Sequence, residues 1–244
     1  MTMHHHSPVT KAIYWATILS ACTMGETAGD FLSFGLKFGY GWAACTLLVL
    51  LVIALVAEAR AKTPSEPRYW TTIVIMSTTG TAMADFITRT MKLGYGRGSA
   101  LLTGLFLTIY IIERLSKTGV EINEQSGSLP KTDAFYWAAI LVASTFGTTM
   151  GDFVADVLRF GFAGGSVFLF SLLTFILFFE FRAKTASKPR YWAALVVTST
   201  IGATTGDFLT KPDALNLGYG IGSVILIGVF VIIFLIRYVL KQER

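Results

Sequence analysis

Four apolar runs without a single charge, Trp42 to Ala57, Ser99 to Ile112, Gly164 to Phe179 and Gly220 to Ile236, punctuate the chain at near-regular intervals. With their Gly and Tyr flanks, each approaches the roughly 20 residues that a helix needs to cross a bilayer. Ahead of each run lies a second helix-length segment that is less apolar and rich in Gly, Ser and Thr. These four segments are copies of one another: YWATILSACTMGETAGDF from Tyr14, YWTTIVIMSTTGTAMADF from Tyr69, YWAAILVASTFGTTMGDF from Tyr136 and YWAALVVTSTIGATTGDF from Tyr191. In every copy a Trp (Trp15, Trp70, Trp137, Trp192) is followed ten residues later by a Gly and fifteen residues later by an Asp. The pattern predicts an all-α membrane protein of eight transmembrane helices, built as four two-helix repeats.

Each repeat contains an even number of crossings, so all four enter the membrane from the same side. They are then parallel repeats with an internal pseudo-symmetry about the membrane normal. The duplication has two levels, because the linker EARAKTPSEPRYW from Glu58 returns 122 residues later as EFRAKTASKPRYW from Glu180. The expected organisation is a tag-like or unstructured N-terminus over 1–10, a first half over 11–115, a polar loop over 116–133 and a second half over 134–244. Within a repeat the two helices meet at FGYG, LGYG, FGFA or LGYG, where glycine admits the left-handed dihedrals of a tight turn. The fourth copy carries two extra residues at LTKPDALNLGYG, where Pro212 should end its helix early.

Composition strengthens the membrane assignment. Hydrophobic residues make up 53% of the 244, charged residues 14%, and the mean hydropathy is +0.61, against about 25% charged in an ordinary soluble domain. The net charge of +5 does not call for nucleic acid, because the basic residues are sorted by loop. Fourteen of the 20 Lys and Arg lie between repeats or at the termini, and six lie in the turns inside repeats. The positive-inside rule then puts both termini and the inter-repeat loops in the cytoplasm. Cys22 and Cys45 have no counterparts in the other copies and read as small packing residues. His4, His5 and His6 fall within the tag-like start, so the spans contain no imidazole.

The repeated polar residues carry the candidate chemistry. The Tyr-Trp pairs stand at the cytoplasmic start of each odd span, and Trp15, Trp70, Trp137 and Trp192 are expected as interface anchors at headgroup level. Gly25/Gly29, Gly80/Ala84, Gly147/Gly151 and Gly202/Gly206 form a small-xxx-small pattern that draws neighbouring backbones together, so the odd helices should form the inner layer. Asp30, Asp85, Asp152 and Asp207 are expensive inside a membrane, about 2.5–3.5 kcal/mol each at its centre, and must face protein or water. Positions four apart share a helical face. Glu26 therefore joins Asp30, Thr81 joins Asp85, and Thr148 joins Asp152 and Asp156, while Ser77, Ser144 and Ser199 extend the polar stripe as an expected path. Thr27, Thr149 and Thr204 are further candidates to support the acids, with packing as their simpler role. Oxygen ligands without thiolate or imidazole suit Mn²⁺, Mg²⁺ or Ca²⁺. No phosphate-cradling Gly loop, HExxH, CxxC or GxSxG with a partner His is present, and the chain does not read as an enzyme.

At the YW, G and DF positions of all four copies, from about Tyr14 to Tyr238, the sequence resembles a family of bacterial membrane proteins with four tandem repeats, each with two spans and a characteristic tryptophan. The resemblance implies an eight-span bacterial inner-membrane protein and leaves its activity open. GETAGDF, Gly25 to Phe31, is most similar to the family pattern, whereas the second copy has Ala84 where a Gly precedes the Asp elsewhere.

These residues lead to a transporter or channel for a cation, divalent before monovalent. Its metal site would be drawn from Asp30, Asp85, Asp152, Asp207, Glu26 and Asp156, with proton exchange as the coupling in a carrier. No cofactor beyond a bound divalent cation is called for. The partners are the lipid bilayer and the transported species, and a homo-oligomer stays open. Two other readings stand beside it: a carrier for a small organic solute lined by Trp and Tyr, and a non-transporting scaffold or sensor whose acids are individually paired.

Overall fold

The structure, a computed structural model, describes residues 8–115, 129–130, 132–183 and 187–242. Among these residues there are eight α-helices and no strand: α1 Pro8–Asp30, α2 Gly39–Arg60, α3 Glu66–Asp85, α4 Gly94–Leu115, α5 Ala134–Asp152, α6 Gly161–Arg182, α7 Lys188–Thr210 and α8 Tyr219–Gln242. Helix α1 starts at Pro8, within the stretch 1–10 expected as an arm. His4, His5 and His6 lie outside the described residues, as does the polar stretch 116–133 apart from Leu129, Pro130, Thr132 and Asp133.

Among the described residues, five helical segments are long and apolar enough to cross a membrane: α2, α4, α6, α8 and the α5 segment Ala134–Val157. Burial separates them into two layers. In the four even helices 17% to 28% of the most apolar window is buried, against 72% in α5. Leu, Ile, Val and Phe side chains cover the exposed faces of the even helices, among them Val49, Ile53, Phe175, Val224 and Ile232. That is the composition of a surface meant for lipid rather than water. The odd helices are the core, and their Thr, Ser and Gly content is tolerable because protein, not lipid, surrounds them.

Helix α1 packs against α3 and α7, and α5 packs against the same two, so the four odd helices close into a ring. Each even helix lies mainly along the odd helix of the next repeat: α2 on α3, α4 on α5, α6 on α7, and α8 back on α1. The glycines explain why the odd helices approach so closely. A Cβ on Gly25 would lie 2.5 Å from Ser77 Cβ, one on Gly80 2.6 Å from Ser144 Cβ, one on Gly147 2.7 Å from the Ser199 carbonyl carbon, and one on Gly202 2.5 Å from Cys22 Cβ. Every seam of the ring thus uses the same glycine, seated on the small residue of the following odd helix.

The first three odd helices do not stop at their Asp. Each continues for five residues with π geometry, over Phe31–Gly35, Phe86–Thr90 and Phe153–Val157. The chain then reverses through two left-handed residues, Lys37 and Gly39, Lys92 and Gly94, or Arg159 and Gly161. The fourth copy reaches the same turn with Asn216 and Gly218. Its helix ends at Thr210 without a π segment, because Lys211 precedes Pro212 and takes an extended conformation (φ −75°, ψ 149°). The two extra residues are absorbed in this bend. Its closing bond runs from Leu217 N to Leu209 O, where the other copies bond from Phe38 to Leu32, Leu93 to Ile87 and Phe160 to Val154.

Candidate functional site

Moving along the odd helices in steps of four gives six successive sets of four side chains, one from each repeat. The first set is Tyr14, Tyr69, Tyr136 and Tyr191. Their hydroxyls hydrogen-bond in a closed circuit: Tyr14 to Tyr69 at 3.3 Å, Tyr69 to Tyr136 at 2.5 Å, Tyr136 to Tyr191 at 3.1 Å, and Tyr191 to Tyr14 at 2.9 Å. Four hydroxyls can meet in this way only if they converge at the centre of the bundle. Trp15, Trp70, Trp137 and Trp192 lock the circuit from outside, each ring lying 5.6–5.8 Å from the Tyr of the preceding repeat. This corrects their assignment as interface anchors. All four are buried, because an indole that fills the wedge between two odd helices cannot also reach the headgroups.

The second set is Ile18, Ile73, Ile140 and Leu195, all buried in one apolar cluster with the tyrosines and tryptophans. The third is Cys22, Ser77, Ser144 and Ser199, the small residues beneath the seam glycines. Ser77 Oγ donates to the Cys22 carbonyl at 3.3 Å, and Cys22 Sγ lies 3.7 Å from Ser199 Oγ. The expected path through Ser77, Ser144 and Ser199 is therefore corrected. These serines belong to the helix seams, and the aliphatic set with its tyrosine circuit closes the centre of the bundle behind them.

The polar site begins with the fourth set, Glu26, Thr81, Thr148 and Ala203. Glu26 Oε2 accepts from Thr81 Oγ1 at 2.9 Å and from Thr148 Oγ1 at 2.6 Å, so a side chain of α1 reaches both its neighbour α3 and the opposite helix α5. The fifth set is Asp30, Asp85, Asp152 and Asp207, none more than 3% exposed. The sixth differs in every copy: Phe34, Arg89, Asp156 and Lys211.

Two of these outermost residues turn back onto the acids. Arg89 Nε bonds Asp85 at 2.6 Å, and its Nη2 lies 3.6 Å from Asp152. Lys211 Nζ lies 2.6 Å from Asp207 Oδ2 and 3.5 Å from Asp152 Oδ1. Aromatic rings at the starts of α2, α4 and α6 brace both cations, with Arg89 over Tyr40 and Tyr95 and Lys211 over Phe162. Five buried carboxylates thus face two basic groups. Asp85 and Asp152 are paired and Asp207 is half-paired, its Oδ1 being buried without a hydrogen-bond partner among the described residues. Oxygens of Glu26, Asp30 and Asp207 come within 4.8 Å of one another. Ligands about 2.0–2.6 Å from one hard cation lie roughly 4–5 Å apart when they flank it, so this spacing is one an ion can bridge.

The structure brings Asp30, Asp85, Asp152, Asp207 and Glu26 together, with Thr81 and Thr148 bonded to Glu26. It leaves Asp156 exposed at the rim, outside the cluster, since this carboxylate sits one turn farther out. Thr27 and Thr149 bond to carbonyls of their own helices, and Thr204 also meets Ser166 of α6, so all three serve packing. Lys211 is the residue that sequence reasoning missed as a partner. The signal was present: Asp85 to Arg89 and Asp207 to Lys211 share the i, i+4 spacing of helical ion pairs. The tyrosine circuit was also missed, although its four members stand at one repeat position.

No curated protein and no solved structure matches the chain. A sequence family described as Repeat of Unknown Function (DUF347) matches residues 13–63, 68–118, 135–186 and 190–243. These segments coincide with the four helix pairs whose odd members build the carboxylate cluster and whose tryptophans lock the tyrosines, and the chain belongs to the DUF347 repeat family.

Proposed function

We propose that the protein is an integral membrane transporter or channel for a hard divalent cation such as Mn²⁺, Mg²⁺ or Ca²⁺. In this reading all eight helices cross a bacterial inner membrane as four parallel repeats related about the membrane normal, with both termini cytoplasmic. The short hydropathy of α1, α3 and α7 is no obstacle, since the even helices screen them from lipid. The cation binds among Glu26, Asp30 and Asp207, a narrower set than the six carboxylates of the sequence reading. The observation that carries this is the buried, unpartnered Oδ1 of Asp207 beside two further carboxylates. Such an oxygen is costly unless something occupies the space it faces.

The charge count supports a cation as well. Arg89 and Lys211 leave an excess of carboxylates over cations in a buried environment, and an arriving ion or proton offsets it. An organic solute finds less support, because the Tyr and Trp rings are engaged with one another. The scaffold reading requires each acid to have its own donor, whereas Arg89 and Lys211 are each shared between two Asp residues and Asp207 Oδ1 has no hydrogen-bond partner among the described residues.

The test uses the purified protein in liposomes with Mn²⁺ as the probe. Asp30→Asn and Glu26→Gln are expected to lower Mn²⁺ binding, measured by calorimetry, and Mn²⁺ flux by at least tenfold each, while Asp156→Asn leaves both unchanged. Unaltered binding and flux in Asp30→Asn and Glu26→Gln would remove the acidic triad from the mechanism.

A further inference from the structure

The two halves of the chain are built alike, and one difference between them opens a groove on the lipid-facing side. In the first half, Trp70 donates its indole N–H to Glu66 at 2.7 Å. Arg237 of α8 lies over the Trp70 ring at 5.2 Å and reaches Glu66 at 3.3 Å, and it is itself only 5% exposed. The guanidinium fills the space between α8 and α3 and holds the Glu66 carboxylate that accepts from the tryptophan.

At the equivalent positions of the second half the charges are exchanged. Lys188 stands for Glu66, Trp192 for Trp70, and Glu113 of α4 for Arg237. Lys188 turns to Glu113 at 3.3 Å. A lysine offers no acceptor, and Trp192 Nε1 is left buried with no hydrogen-bond partner among the described residues. The shorter Glu113 does not fill what Arg237 fills. A groove of about 310 Å³ remains, lined by Thr103, Phe106 and Tyr110 of α4, Phe146 of α5, and Trp192 and Val196 of α7. Its walls are almost wholly apolar. Its rim carries two basic groups and one acid: Lys188, paired with Glu113 and with 40% of its side chain exposed, stands at one side, and Arg114, bonded to the Tyr110 hydroxyl, at the other.

We propose that this groove holds one anionic phospholipid. An acyl chain lies between α4 and α7 against Phe106, Phe146 and Val196. The phosphate meets Lys188 and Arg114, which can extend along the apolar wall while keeping their charges at the surface. A headgroup or ester oxygen supplies the acceptor that Trp192 lacks among the described residues. A zwitterionic lipid of the same chain length satisfies the groove but not the rim. The first half binds no such lipid, because Arg237 and Glu66 already occupy the corresponding space and hydrogen bond.

The full-length protein, delipidated in detergent and titrated with phosphatidylglycerol or with phosphatidylcholine of identical chains, tests this by native mass spectrometry. One phosphatidylglycerol is expected to bind about tenfold more tightly than phosphatidylcholine. Lys188→Gln should reduce it to the phosphatidylcholine level, and Trp192→Phe should weaken both lipids, since both carry the ester and phosphate oxygens that accept from the indole. Trp70→Phe should leave it unchanged. Lys188→Gln guards against misfolding as the explanation, since Gln keeps a donor for Glu113 and gives Trp192 an internal acceptor. Equal binding of the two lipids, retention of phosphatidylglycerol in both groove variants, or an equal loss in Trp70→Phe would overturn the proposal.

Discussion

The two ends of the inner four-helix ring use the repeat in opposite ways. At the tyrosine end all four copies contribute the same residue to the same task, with four hydroxyls in a circuit, four indoles around it and four aliphatic side chains stacked above it. At the carboxylate end the four Asp are alike but their companions are not. Glu26, Thr81, Thr148 and Ala203 lie on one side of them, and Phe34, Arg89, Asp156 and Lys211 on the other. Uniformity builds a seal, because identical residues at one level can satisfy one another. Divergence builds a site, because four identical acids without partners would repel, whereas two cations placed unequally leave three carboxylate groups unevenly charged and open to a ligand.

Lys211 should show this difference most sharply. Lys211→Met removes the partner of Asp207 and one of the two cations near Asp152, and unfolding is expected to become easier by about 3–5 kcal/mol, as for a broken buried pair. Adding Asp207→Asn to that variant should restore much of the loss, which denaturation in detergent would measure for the single and double variants together. At the sealed end, Ile140→Ala opens a cavity in the aliphatic set and should cost about 2–4 kcal/mol by the same measurement. Its Mn²⁺ affinity should stay that of the parent, since the seal and the acids lie several turns apart. A smaller loss, about 1–2 kcal/mol, is expected for Tyr136→Phe, which removes the hydroxyl bonded to both Tyr69 and Tyr191. Asp156→Asn marks the bottom of the scale, within about 0.5 kcal/mol of the parent, because an exposed rim carboxylate makes little difference to folding. A large effect there would mean that the carboxylate site extends to the rim.

Much of the architecture was legible because the repeat exposes its own grammar. The glycines of GETAGDF and its copies announced close helix approach, and each of Gly25, Gly80, Gly147 and Gly202 sits on its neighbour's backbone level. The acids were legible by their cost: no sequence places an Asp at one position of four apolar helices without gathering them somewhere shielded. Pro212 announced the early end of the fourth odd helix at Thr210, two positions before the π segments of the other copies stop. The tryptophans misled because Tyr-Trp at a helix start has two physical solutions, the headgroup belt and the wedge between helices, and periodicity alone does not separate them. The serines misled for a related reason. A small hydroxyl residue under a glycine and one along a water path obey the same spacing. Lys211 was hidden by its place in a turn ahead of Pro212, although it keeps the i, i+4 spacing to Asp207 that Arg89 keeps to Asp85.

The way the outer helices are seated has a consequence for synthesis. Because α2, α4 and α6 each rest on the helix of the repeat that follows, no hairpin is complete when it leaves the ribosome, and each waits for its successor to provide a bed. Helix α1 waits longest, since α8 covers its outer flank. Helix α8 is thus the clasp of the bracelet, and a chain without Tyr219–Gln242 would leave the outer flank of α1 uncovered.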